Sequence, residues 1–151
     1  MRRFRLGLIL AGLVLGSIGV TAAQSPGLEV TAPAEGSSID GTDVEVTFSV
    51  TGIAIVASSV PLEQAGQQPE ANRPGEGHVH LMLDLGSVVV WNTTDPYTFT
   101  NVPPGEHQLM VEIVNNDHSS LNPPVVQQIR FRTSASQVMP NTGESDLDST
   151  P

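Results

Sequence analysis

Four histidines are the residues of this chain whose type and spacing could do chemistry, and all four lie in its second half. His78 and His80 form the most informative pair. Residues two apart on a strand point to the same face and lie about 7 Å apart at Cα. Two imidazoles in that arrangement can converge on one ion. The spacing therefore predicts a metal site on this strand.

Three further side chains are candidates to complete the metal's ligand shell. Met82 continues the strand face of the pair, His107 follows a turn, and His118 lies in the next loop. Imidazole and thioether donors favour copper, with zinc as the alternative, over calcium or magnesium, which prefer oxygen. In the competing interpretation the two strand histidines alternate by chance on a solvent-exposed face. Met82 then covers exposed apolar area.

The elements that must position these side chains are short strands. Apolar and polar residues alternate with a period of two in segments 44–50, 78–85 and 109–113, and no segment beyond residue 23 has a helical period. About seven such strands, separated by turn residues, predict an all-β fold. We expect an antiparallel immunoglobulin-like β-sandwich, with a small β-barrel as the alternative.

This fold assigns the strand residues to two faces. Val79, Leu81 and Leu83 are expected to fill the core, which leaves His78 and His80 on the outer face or near the strand entrance. Segment 61–77 is rich in Gln, Pro, Glu and Gly, and we expect a long mobile loop there.

Three regions follow along the chain. Residues 1–23 run from arginines through an apolar stretch to small residues, which predicts a cleaved signal peptide, or alternatively a membrane anchor. Residues 26–133 form the predicted β-sandwich domain, and residues 134–151 a disordered polar tail.

The tail segment 139–144 is similar to a sortase signal but is not followed by an apolar segment, so we interpret it as a chance match. The expected location is the periplasm or the outside of a bacterial cell.

Charge and cysteine content exclude several classes of partner and site. Beyond residue 23 three arginines face sixteen carboxylates, a formal net charge of −13, and there is no lysine. Nucleic acid is excluded as a partner and an anionic membrane surface is disfavoured, because nothing neutralises phosphates. The lack of cysteine excludes disulfides, thiolate zinc sites and type 1 copper centres.

No arrangement of residues predicts an enzyme. The sequence has neither a nucleophile elbow nor a phosphate-binding glycine loop, and its close carboxylate pairs lie in polar, solvated contexts. The His78-Val79-His80 strand resembles the copper-binding strand of copper–zinc superoxide dismutases. That family needs more histidines than the four present here, and a structural disulfide, so we reject this interpretation.

A longer resemblance joins all four histidines. The motifs are Gly77-His78-Val79-His80-Leu81-Met82-Leu83-Asp84, Pro103-Pro104-Gly105-Glu106-His107, Asp117-His118 and Asn122-Pro123-Pro124. Over roughly residues 74–131 the chain resembles the DUF4399 group of exported bacterial proteins. The resemblance implies that the histidines occupy motif positions together. The chain departs from the group's pattern at Val79 and at Leu121-Asn122, where that pattern has further histidine and aspartate.

Two functions are consistent with these observations. The first is an exported, non-enzymatic domain that binds copper or zinc through His78 and His80, completed by Met82, His107 or His118. The second is a cell-envelope interaction module that binds a protein or a glycan, with the histidines incidental. Convergence of three ligand side chains would favour the first function.

Overall fold

The computed structural model describes residues 24–135 of the chain. The predicted signal peptide, the sortase-like segment and all but the first two residues of the predicted tail lie outside the described residues. Within residues 24–135, no helix has the length and apolar character needed to cross a membrane.

The described residues form a β-sandwich of two sheets, which confirms the predicted fold class. The strands are β1 (Gly27–Ala32), β2 (Ser38–Asp40), β3 (Val44–Thr51), β4 (Ala54–Ile55), β5 (Glu76–Leu83), β6 (Val89–Trp91), β7 (Tyr97–Phe99), β8 (Gly105–Val114) and β9 (Ser120–Ser134). The three-stranded sheet has the order β1-β3-β7, and the larger sheet has the order β2-β9-β8-β5-β4, with β6 paired to β5.

The core lies between the two sheets. It is built by the alternating apolar residues of β3, β5 and β8 together with Phe131 of β9. These side chains are removed from water because every second residue of a half-buried strand faces the opposite sheet. The fully buried members include Val44, Val46, Val79, Leu81, Leu109 and Val111.

Three features of the structure were not predicted from the sequence pattern. The short strands β2 and β4 pair in parallel with β9 and β5, whereas the other pairs are antiparallel. β9 begins at Ser120, two residues after His118, and Ser120 pairs with Val114 across an irregularity in the ladder. The predicted loop 61–77 contains two 3₁₀ turns, Leu62–Gln64 and Pro69–Ala71.

Candidate metal centre

Three histidine rings meet at one point above the outer face of the larger sheet. The Nε2 atom of His78 lies 3.1 Å from Nε2 of His80 and 2.8 Å from Nδ1 of His118. The third side of this triangle, from Nε2 of His80 to Nδ1 of His118, measures 3.0 Å. Among residues 24–135, these three form a group of side chains that could hold a metal ion. We call them the histidine triad.

The triangle has dimensions suited to coordination. Imidazole nitrogens bind zinc at about 2.0–2.1 Å, so two of them at right angles lie about 2.9 Å apart, and at a tetrahedral angle about 3.4 Å. The triad's separations fall near the right-angle end of this range. Three nitrogens on one side of an ion leave at least one coordination position open.

Two of the ligands come from β5 as the strand spacing predicts. Val79 and Leu81 of this strand are fully buried in the core, and His78 and His80 project from the other face. The pair lies on the outer face, but that face is not solvent-exposed there, contrary to what the competing interpretation assumed: His78 and His80 have exposed fractions of only 0% and 9%. The reason is that residues from two loops cover this part of the sheet.

The third ligand comes from the tight turn between β8 and β9. The backbone N–H of His118 donates to the carbonyl of Asn115 at 2.9 Å, and that of Asn115 to the carbonyl of Ser119 at 2.8 Å. The Asp117 carboxylate accepts bonds from the backbone and the hydroxyl of Ser119. His118 adopts a φ of 66°, a region that histidine enters more readily than most residues.

A second segment, residues 58–73, holds this turn against the sheet. Its hydrogen bonds to residues 116–118 run from the Ser58 hydroxyl to the Asn116 carbonyl and from the Gly66 N–H to the Asp117 carbonyl. The Asn72 side chain accepts the Asp117 N–H at 2.9 Å. Bonds of this kind explain why a segment expected to be a mobile loop is tied to the sandwich.

The same segment fixes the hydrogen position on His118. Its Nε2 lies 2.7 Å from the carbonyl oxygen of Val60. A carbonyl only accepts, so Nε2 is the donor, and in the neutral ring Nδ1 keeps its lone pair directed at the triad. No pattern in the sequence indicated Val60, because its contribution is a backbone carbonyl.

The pKa values of the other two rings are lowered. Burial, together with the neighbouring His80 and His118 rings, lowers the pKa of His78 to about 4. Burial, together with His118, lowers the pKa of His80 to about 4 as well. Both rings are therefore neutral at pH 7. A metal ion would not have to compete there with the proton that makes a histidine ring cationic.

The remaining two candidate ligands lie elsewhere. Met82 is one step of about 7 Å further along β5 than His80, and it lines a shallow hollow with Leu85 and Met110. His107 faces away from the triad. Its Nδ1 lies 2.6 Å from the Asp84 carboxylate and its Nε2 2.8 Å from the Pro103 carbonyl.

The resulting donor set is three imidazoles with no thiolate or thioether. Such nitrogen donors suit zinc, copper, iron and nickel, whereas calcium and magnesium require oxygen. The ligand set can therefore hold a divalent transition metal and leave one position for a water or another ligand.

Comparisons with known proteins identify no family for this chain. No family model matches the sequence, and no curated protein matches it either. The likeness to the DUF4399 group stays a prediction.

Several solved structures match this chain at low similarity. A structure of fibronectin(III)-like modules of Clostridium thermocellum CbhA is 16% identical, covers 73% of this chain and 99% of its own, and has a TM-score of 0.47. An engineered protein is 10% identical over 75% of this chain, with a TM-score of 0.44. The extracellular domain of a hybrid two-component system from B. thetaiotaomicron is 15% identical over 80%, with a TM-score of 0.42. This chain spans only 21% and 16% of the length of the latter two proteins.

Proposed function

We propose that this protein is an exported, non-enzymatic β-sandwich module that binds one copper or zinc ion through His78, His80 and His118. The observation that supports this proposal is the triangle of ring nitrogens, with sides of 2.8, 3.0 and 3.1 Å. Where each of these three nitrogens carries a lone pair, one cation can bind all three of them.

Copper is the favoured metal. Affinity of a nitrogen site for divalent metals rises through the first row to a maximum at copper and falls again at zinc. A buried three-imidazole site without a thiolate offers nothing that reverses this order. We therefore expect Cu²⁺ to bind more tightly than Zn²⁺, and Ca²⁺ and Mg²⁺ not to bind at this site.

Calorimetric titration with Cu²⁺ and Zn²⁺ tests the proposal. The purified protein should bind one ion with a Kd in the micromolar range or below, and His78→Ala/His80→Ala should abolish binding. Met82→Leu is the matched control, because it changes a side chain on the same face of β5 that lies outside the triad. Its affinity should equal that of the unmodified protein.

Two results would contradict the proposal. Binding that survives the double substitution would place the metal elsewhere, and no binding of either ion at millimolar concentration would leave the histidines as packing residues. A loss of copper affinity in Met82→Leu would instead indicate that the Met82 thioether is a ligand, as the sequence alone suggested.

A further inference from the structure

A cavity of about 650 Å³ opens beside the turn that carries His118. Much of its wall is apolar and comes from three parts of the chain, through Pro26, Ile53, Leu121 and Val125. Cavities of about 300–1,000 Å³ with apolar walls and a few polar groups are typical of sites for small ligands. None of the triad histidines lines this cavity, so it is distinct from the metal site.

The cavity carries one cationic and one anionic side chain. Arg73 and Glu76 both line it, and neither belongs to the ion pairs formed within residues 24–135. Arg73 is one of only three basic residues beyond residue 23. The other two, Arg130 and Arg132, line a different hollow. An arginine kept at an apolar wall in so acidic a chain is suited to a carboxylate.

The remaining polar side chains of the wall are the Ser25 hydroxyl and four amides, from Gln24, Asn72, Asn115 and Asn122. Asn72 uses its oxygen to accept the Asp117 N–H, and Asn115 uses its nitrogen to donate to Ser119 and Ser120, so each keeps the other half of its amide for a ligand. An amide side chain can both donate and accept, as a peptide group can. A peptide buried in an apolar site needs such partners, because each unpaired backbone group carries a desolvation penalty. The wall therefore matches a ligand with apolar side chains, peptide groups and charges of both signs.

We propose that this cavity binds a short apolar peptide of about two to four residues. The peptide's free carboxylate is held by Arg73, and its amino terminus or an N–H group is held by Glu76. This proposal does not depend on the proposed metal site, because the cavity is separate from the triad.

The experiment uses the tripeptide Ala-Val-Leu and its C-terminal amide as probes in a calorimetric titration of the exported protein. The free acid should bind about tenfold more tightly than the amide, because a charge-assisted bond to the guanidinium is lost in the amide. Arg73→Gln should lower the affinity for the acid by the same factor and abolish the difference between the probes.

Arg130→Gln is the matched control, since it removes the same charge from an exposed position away from the cavity. Arg73→Gln is expected to fold, because the hydrogen bond of Arg73 to the Asn116 side chain uses its backbone N–H. Circular dichroism checks this directly.

Three outcomes would overturn the proposal. They are no binding of either probe at millimolar concentration, equal binding of acid and amide, and equal effects of Arg73→Gln and Arg130→Gln. Binding of a cell-wall oligosaccharide at this site in place of the peptide would overturn it as well.

Discussion

The histidine triad consists of three residues with different local roles. His78 and His80 both project from the outer face of β5, the first fully buried and the second 9% exposed. His118 occupies a turn position with φ 66°. A side chain at positive φ costs about 1 kcal/mol or more for most residues. At His118 that backbone directs the ring toward β5, and the bond to the Val60 carbonyl holds it there.

Replacing His118 by Asn separates its backbone role from its ligand role. Asn tolerates the same φ, so His118→Asn should lower the free energy of unfolding by about 1–3 kcal/mol, the cost of leaving the buried Val60 carbonyl without its partner. Its metal affinity should fall by about 100-fold or more, beyond the effect of changing an outer-shell partner. Urea unfolding and calorimetry measure the two quantities, and an unchanged Kd would remove His118 from the ligand set.

Burial changes the pH range in which metal binding is lost. An exposed pair with ordinary histidine pKa values would lose about 100-fold in affinity between pH 7 and pH 5.5, because both rings become protonated. Since the pKa values of His78 and His80 are lowered to about 4, the loss at pH 5.5 should be far smaller. Zinc titrations at pH 7, 5.5 and 4 measure it. A 100-fold loss already at pH 5.5 would show that the rings titrate as exposed histidines do.

The same lowered pKa values make the metal-free protein sensitive to acid. Between pH 6.5 and about 4 the unfolded chain binds protons at His78 and His80 that the folded chain does not. The contribution of these two histidines to the free energy of unfolding is therefore fully present above pH 6.5 and declines as the pH falls through this window. Thermal unfolding at pH 7, 5.5 and 4.5 with chelator present measures the decline. In His78→Gln/His80→Gln the dependence on pH should be flatter, and an equally steep one would assign it to other groups.

The strand β5 is the element on which the site depends, and its position is set by close packing. Gly77 precedes the first triad ligand, and a Cβ at this position would lie 2.4 Å from the carbonyl oxygen of Val114 on β8. Only glycine allows the two strands to approach this closely next to His78. The spacing of the sheet and the position of the ligand are thus determined together.

Gly77→Ala should therefore affect both stability and binding. We expect the free energy of unfolding to fall by about 1–3 kcal/mol, as for other overpacked sites, because β5 must move away from β8. Metal affinity should fall with it, since His78 moves too. Gly36→Asn is the control, because a Cβ there meets no atom within 4 Å and its φ of +72° suits Asn. Equal effects of the two substitutions would contradict this account.

The strands of the core could be predicted from the sequence because their pattern is local. Val44, Val46 and Phe48 alternate with polar residues, and β3 occupies that segment. The His78–His80 pair was found in the same way, from its spacing. Burial of this pair could not be predicted, because alternation assigns a side chain to a face but does not show which distant segment covers that face. His118 was only one of several candidates, since its place depends on a turn and on segment 58–73.

At the scale of the whole molecule, the two proposed sites share a supporting segment. Asn72 and Arg73 both line the cavity. They also bond to the two residues before His118: the Asn72 side chain accepts the Asp117 N–H, and the Arg73 N–H donates to the Asn116 side chain. The sandwich provides the base, and the triad lies where two loops meet above the outer face of the larger sheet. This location is typical of binding sites on β-sandwich scaffolds.

Metal binding should stabilise the whole domain if it is specific to the folded state. The three ligands come together only in the fold, so an ion at 100 times its Kd adds about 2.7 kcal/mol to the free energy of unfolding. Thermal unfolding with saturating Zn²⁺ should show a higher Tm that excess chelator reverses. His78→Ala/His80→Ala should show no such shift, and a shift that persists in this variant would indicate binding elsewhere.

The 40 positions that separate His78 from His118 have a consequence for a protein without cysteine. An ion held by both rings ties two distant points of the chain into a closed loop. A covalent cross-link of that span would restrict the unfolded chain, whereas an ion that binds only the folded chain stabilises it through its binding free energy. The triad would thus serve as a removable staple, fastened by metal supply, in a chain that has no cysteine.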